Sequence, residues 1–272
     1  KIRLSRDRVD RLGYFTEVGI ETQEVPGSPD QVDLVISVAE KPTGSLQLGA
    51  GFSSAEKVSL SFAVKQENVF GSGNYLGVDV NTSKYRRTLV FSTTNPYFTQ
   101  DGISRTLDLY YRTDKPYEDQ GGNYQLVTTG ASMRFGVPFS ETDTVFFGGG
   151  IEQTKIKPGT NIPAAYLAYA DTYGFSSNSI PLTIGWSRDD RDSALAPNSG
   201  RYQRLNSEWS VAGDARYLRA NYQYQQYIPL NKRFTVAFNG ELGYGKGMNG
   251  RPFPVFKNFY SGGLGSVRGF DQ

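Results

Sequence analysis

The sequence predicts an all-β chain: a transmembrane antiparallel β-barrel, preceded by the end of a small α/β domain. Three observations carry this. From Gly44 to Tyr244, apolar residues recur at every second position in successive segments, the period of a strand with two unlike faces. The 272 residues include 18 Tyr, 17 Phe and 31 Gly, types that favour strands, membrane interfaces and tight turns. Mean hydropathy is −0.47, and no run approaches the ~18 apolar residues of a spanning helix. Alternating strands, by contrast, cross a bilayer with a polar average.

Residues 1–42 read differently from the rest. Ser5-Arg6-Asp7-Arg8-Val9-Asp10-Arg11-Leu12 offers an N-cap serine and a charged helical stretch, with Leu4, Val9 and Leu12 on one face and Gly13 as a stop. Strands are expected over 17–23 and 31–39, where Val32, Leu34, Ile36 and Val38 alternate with polar neighbours. Val25-Pro26-Gly27-Ser28-Pro29-Asp30 is the turn between them. A helix and a hairpin are too little for an independent core, so residues 1–42 are expected to be the C-terminal part of a domain. The start, Lys1-Ile2-Arg3-Leu4-Ser5, has no apolar leader. It is expected either to follow a signal removed far upstream or to lie inside a longer chain.

From residue 43 to 272 the barrel is expected. Leu46, Leu48, Ala50 and Phe52 alternate with Gln47, Gly49, Gly51 and Ser53; Val58, Leu60, Phe62 and Val64 follow, then Leu76, Val78 and Val80. Leu89/Phe91 and Leu107/Leu109/Tyr111 come next, then segments 125–137, 143–155, 180–188, 201–211, 216–228 and 232–245. That makes about eleven strands of roughly ten residues, the length a tilted strand needs. Tight connections such as Phe70-Gly71-Ser72-Gly73-Asn74 alternate with long ones over 112–124, 156–179 and 246 onward, a membrane-barrel asymmetry. Two connections break it, since 188–200 is long and 212–215 short. With the first barrel strand running outward from the α/β domain, the eleventh ends outside. The sequence is therefore expected to finish within an extracellular loop, its barrel incomplete.

The formal charge of +2, from 29 basic and 27 acidic residues, gives no global basic surface, so no nucleic-acid partner is expected. Arg86-Arg87 reads as solvated or lumenal charge. Cys and His are absent, which removes thiolate nucleophiles, His-dependent triads and Cys/His zinc sites. No enzyme, cofactor or metal is expected. Gly245-Lys246-Gly247-Met248-Asn249-Gly250 fits a dinucleotide pattern, but Arg251-Pro252-Phe253-Pro254 cannot supply the helix it needs; a flexible extracellular loop is the expectation. Asp189, Asp190 and Asp192, interleaved with Arg188 and Arg191, read as a self-compensating turn rather than a calcium site. Ala164-Ala165-Tyr166-Leu167-Ala168-Tyr169-Ala170 offers a short helix whose expected role is to order its own loop.

Four stretches resemble the Omp85 family in order and spacing. They are Asn68-Val69-Phe70-Gly71-Ser72-Gly73, the run from Asn95-Pro96-Tyr97-Phe98 to Ser104, Arg191-Asp192-Ser193 with Pro197-Asn198-Ser199-Gly200, and Val267-Arg268-Gly269-Phe270. The last is the most specific, and Arg8 to Phe15 resembles the end of a POTRA domain, the family's periplasmic module. The resemblance implies a complete barrel of about sixteen strands, in a bacterial outer membrane with its N-terminal segment in the periplasm. It implies the central component of outer-membrane β-barrel assembly, working by strand templating at a lateral gate. Its partners would be nascent outer membrane proteins, periplasmic Bam lipoproteins and chaperones, and outer-membrane lipid. The alternative is a two-partner secretion or TamA-type transporter; a passive porin is more remote.

Within that frame two sets of residues are candidates. Gly44, Leu46, Leu48, Gly49, Gly51 and Phe52 would form the gate and templating strand. Gly49 and Gly51 either weaken its packing for that role or only relieve crowding inside the barrel. Val267, Arg268, Gly269 and Phe270 would form the loop motif, with the Arg268 guanidinium meeting polar residues on strands beyond this sequence.

Overall fold

The structure, a computed structural model, describes residues 6, 9, 14–27, 31–53, 57–115, 123–140, 142–193, 196–231 and 234–259. Of the helix expected over Ser5–Leu12, Arg6 and Val9 fall within this set, and both are helical. β1 (Phe15–Glu24) and β2 (Val32–Glu40) pair antiparallel as a separate two-stranded sheet.

Eleven strands then form one antiparallel meander in strict chain order. They are β3 (Gly44–Ser53), β4 (Lys57–Gln66), β5 (Tyr75–Thr82), β6 (Arg86–Asn95), β7 (Ser104–Asp114), β8 (Asn123–Pro138), β9 (Asp143–Asn161), β10 (Ser176–Asp189), β11 (Gly200–Gly213), β12 (Tyr217–Pro229) and β13 (Thr235–Gly247). A single helix of ten residues, α1 (Ala164–Tyr173), stands in the β9–β10 connection. Among the described residues no helix is long and apolar enough to cross a membrane.

The register turns local alternation into two continuous surfaces. One row runs Leu46, Val64, Val78, Phe91, Leu109, Ala131, Ile151 across β3–β9, each paired to the next. Another runs Gly49, Ser61, Asn81, Thr88, Arg112, Thr128, Thr154 across the same strands. The first is wholly apolar yet exposed, with Leu109 at 56% and Ile151 at 62%. Exposed apolar rows over this many strands are what a bilayer covers, so the second row faces the lumen.

The strands are longer than their periodicity implies on the β8–β9 side. β9 runs on to Asn161, and Tyr124 pairs with Pro158. This hairpin rises beyond the alternating stretch because α1 packs on its end, burying Ile156 with Tyr166, Tyr169 and Ala170. Pro181 in β10 falls where the register to β11 shifts, between Ile180 and Pro181. A residue without an N–H is tolerated at such a bulge.

Connections on the β4–β5 side carry the expected turn chemistry. Asn68 (φ 53), Phe70 (φ 51), Gly71 (φ 74) and Gly73 (φ 72) are all left-handed, and the Asn68 side chain accepts the Gly73 N–H at 2.7 Å. Tyr14, just before β1, donates its hydroxyl to the Gly73 carbonyl at 3.1 Å, tying the hairpin to the sheet. In the β6–β7 turn Asn95 Oδ1 accepts the Tyr97 N–H at 3.0 Å. There the Arg105 guanidinium lies 4.4 Å from the Phe98 ring centre.

The two faces should respond differently to charge. In the complete protein refolded in phospholipid vesicles, Leu109→Arg is expected to cost about 2–4 kcal/mol in urea titration. Thr88→Arg, on the lumenal row, is expected to leave the midpoint close to wild type.

Candidate functional site: a strand edge and a lumenal loop bed

Two features stand out from the regular sheet, one at each end of its strand order. At the first, β3 pairs with β4 from Gly44↔Gln66 to Ser53↔Lys57, and among the described residues its other edge has no partner. Leu46, Leu48 and Phe52 point outward, with Leu48 at 74% and Phe52 at 78% exposure. Gly49 and Gly51 point inward, opposite Ser61 and Ser59. A methyl at Gly51 would come within 2.9 Å of the Ser59 hydroxyl, and one at Gly49 would collide with that of Ser61. The crowding reading of these glycines fits this geometry. They clear space for two serines, and the wall they leave has little side-chain bulk, with a recess of about 430 Å³ beside Gly49, Ser61 and Asn81. Gly44 opens the strand against the Gln66 side chain.

At the other end, the chain leaves β13 and turns back onto the lumenal face. Asn249 (φ 54) and Gly250 (φ 75) make the reversal, closed by the Arg251 N–H donating to the Met248 carbonyl at 3.0 Å. Residues 251–259 then lie along β13. A methyl at Gly247 would strike the Arg251 carbonyl, one at Gly245 the Phe253 ring at 2.6 Å, and one at Gly243 the Phe259 ring at 2.8 Å. This corrects the expectation of a flexible loop over Gly245–Gly250. Gly245 and Gly247 are strand residues, and their missing side chains form the bed on which the returning leg lies.

Aromatic contacts hold the leg from the sides. Phe253 meets Tyr217 edge-on at 5.9 Å, Phe256 meets Tyr169 edge-on at 5.7 Å, and Pro254 is fully buried. The Tyr166 hydroxyl donates to the Val255 carbonyl at 3.3 Å. The Arg219 guanidinium stands 4.5 Å from the Phe259 ring centre. Helix α1 thus does more than order its own connection, because Tyr166 and Tyr169 roof the leg.

The leg ends in a charge cluster. Lys257 Nζ stands 2.8 Å from Glu152 on β9 and 3.0 Å from Glu208 on β11. The Glu208 contact is aligned as a hydrogen bond; the Glu152 contact is an ion pair by proximity. Tyr110 on β7 donates to Glu152 at 2.9 Å, and Tyr217 on β12 donates to Glu208. Side-chain exposure is 15% for Lys257 and 9% for Glu152. Val267, Arg268, Gly269 and Phe270 lie outside the described residues. Sequence reasoning missed Lys257, Glu152 and Glu208. The available signal was parity, which places both glutamates on inward positions of otherwise neutral strand stretches.

At the other end of the same strands the three aspartates are engaged as the self-compensating reading expects. Asp189 accepts a two-pronged contact from Arg191 at 2.8 and 2.7 Å, and Asp190 pairs with Arg201 at 3.0 Å. Asp192 accepts the backbone N–H groups of Asn198 at 2.9 Å and Ser199 at 3.2 Å. Those two donors hold its carboxyl below the ordinary value of 3.8.

A meander whose lumenal face carries its own returning loop defines a class of membrane barrel, and the sequence match agrees with it. The chain belongs to the Omp85 superfamily, whose domain profile matches residues 68–272. Among curated proteins it is similar to the outer membrane protein assembly factor BamA of Neisseria meningitidis serogroup B, 35% identical over the whole chain and 36% of that relative. BamA of Nitratidesulfovibrio vulgaris is 28% identical, again over the whole chain and 34% of the relative. The chain thus spans about a third of the length of these relatives. Among solved structures, BamA from Haemophilus ducreyi lacking POTRA domains 1–3 superposes with a TM-score of 0.87 at 26% identity, covering 99% of this chain and 54% of that one. CdiB from Acinetobacter baumannii, at TM-score 0.58 and 14% identity over 97% of this chain and 50% of its own, shares the fold alone.

Two outcomes test this geometry. Gly245→Val is expected to destabilise the barrel by about 1–3 kcal/mol through overpacking, read by urea titration. Gly240→Val, with open space around it, is expected to be neutral. The second concerns acid. A carboxyl whose value is lowered on folding stabilises fully above its unfolded value and loses that contribution as pH falls through the folded one. Asp192→Ala is therefore expected to speed amide exchange at Asn198 and Ser199 at neutral pH, the difference from wild type narrowing as pH falls beneath the ordinary carboxyl value of 3.8.

Proposed function

We propose that this chain forms the first part of the barrel, and the end of the periplasmic domain before it, in an outer membrane protein assembly factor. In this reading β3 is the strand at which client proteins are templated. The observation that carries it is the β3 edge. It is ten residues of exposed strand that begin the sheet, pair on one side among the described residues, and present glycine to the lumen where neighbouring strands present larger groups. Wherever the pairing of β3 with the last barrel strand opens, its edge would offer a row of N–H and C=O groups to an incoming strand, which is the physics of β-augmentation. The whole-chain similarity to BamA relatives supports the same reading.

The clients would be nascent outer membrane proteins, delivered from the periplasm with the help of Bam lipoproteins and chaperones, in contact with outer-membrane lipid. The periplasmic segment would end at residue 42 and the barrel begin at residue 43. Arg268, with Val267, Gly269 and Phe270, would carry the loop motif into the lumen, toward acceptors on later strands. A porin reading is disfavoured by the loop leg lying across the lumenal wall. No catalytic role is proposed.

The test uses the complete protein. A disulfide joining β3 to the last barrel strand is expected to stop insertion of a client barrel into proteoliposomes, with reductant restoring it. Insertion at the wild-type rate with the bond closed would remove β3 from the mechanism.

A further inference from the structure

We propose that Lys257 is a positioning residue, the ionic key that fixes the returning loop leg to the β9–β11 part of the lumenal wall through Glu152 and Glu208. The geometry carries this. Lys257 is the only basic residue between Pro252 and Phe259, and its ammonium sits between two carboxylates from different strands, at 2.8 and 3.0 Å. Each carboxylate is in turn oriented by a tyrosine hydroxyl: Tyr110 of β7 reaches Glu152 across Gly130 of the intervening β8, and Tyr217 of the adjacent β12 serves Glu208. One loop cation thereby engages groups from β7, β9, β11 and β12. A carboxylate as enclosed as Glu152 needs a cation, and removing one member of such a pair leaves an uncompensated buried charge.

The apolar contacts of the leg do not fix its position by themselves. Phe253 and Phe259 lie on glycines, surfaces along which a ring can slide. The charge contact is directional and sits at one point, so it sets where the leg stops. Every contact described for the leg comes from β9, β11, β12, β13 and α1. Among the described residues the leg is therefore held by that wall rather than by β3–β6. In the assembly reading of the preceding section, on which only this last consequence rests, the templating edge can open while the loop stays seated.

The experiment compares Lys257→Glu, Lys257→Met and the swap Lys257→Glu with Glu208→Lys, in the complete protein refolded in phospholipid vesicles. Heat-modifiable gel mobility establishes that the barrel is folded in each. Chymotryptic nicking after Phe256 and Phe259 then reports the leg. Lys257→Glu is expected to speed nicking by about tenfold or more, and Lys257→Met by less, because the enclosed Glu152 is left without its cation while Glu208 keeps Arg219 opposite it. The swap keeps one cation and two carboxylates at the same three positions, and is expected to return nicking to within about twofold of wild type. Wild-type nicking in Lys257→Glu and Lys257→Met, or a swap no better than Lys257→Glu, would overturn the proposal. Client insertion is read separately: a released leg with normal insertion would leave the key in place and refute only the assembly reading of it.

Discussion

A strand that crosses hydrocarbon can satisfy its backbone N–H and C=O groups only through neighbouring strands, because the bilayer offers no water. The rest of this molecule depends on that constraint. It forces an unbroken ladder from β3 to β13, and the ladder forces each strand to show one side chain to lipid and the next to the lumen. The apolar row from Leu46 to Ile151 and the polar row from Gly49 to Thr154 follow from it. The same constraint makes any unpaired edge a source of reactivity toward other strands, so the position of the edge matters more than its side chains.

The lumen is where the constraint relaxes. Inward residues answer to each other and to the loop, so groups that would be prohibitive on the lipid face become usable there. Glu152, Glu208 and Arg219 all sit on inward positions. Their charges are matched across strands and by Lys257, while the arginine face of Arg219 is also used against Phe259. In the wall from β7 to β12 these charged groups are interspersed with small inward residues such as Gly130, Gly148 and Gly150, whereas beside β3 the inward Gly49, Gly51, Ser59 and Ser61 are small and uncharged.

Much of this was legible in the sequence because a period of two is a local property. Eleven segments, the side of each turn and the outward set of β13, with Val236, Phe238, Leu242 and Tyr244, can be read from neighbours a few residues apart. The β8–β9 extension could not, since Lys157-Pro158-Gly159 looks like a stop, and only the packing of Tyr166 and Tyr169 on Ile156 explains why pairing continues. The loop bed was hidden for a related reason. Gly243, Gly245 and Gly247 have no side chain to signal what lies on them, and a glycine-rich run reads as flexibility when the chain that fills it comes later. The meeting of Lys257 with Glu152 and Glu208 is tertiary throughout. Parity alone could have marked the two glutamates as inward, without naming their cation.

The glycine bed on β13 also works as a ruler for sequence change. Arg251 lies on Gly247 and Phe253 on Gly245, residue for residue, but Phe259 lies on Gly243, so the leg advances six residues over a stretch where the strand recedes by two. The short helical turn Val255–Lys257 takes up that slack. Insertions at the reversal around Asn249 lengthen only an exposed tip. A single residue added or lost between Pro254 and Asn258 would instead rotate Lys257 away from its carboxylates and lift Phe259 off its glycine together. Length in that short stretch is therefore held more tightly than identity.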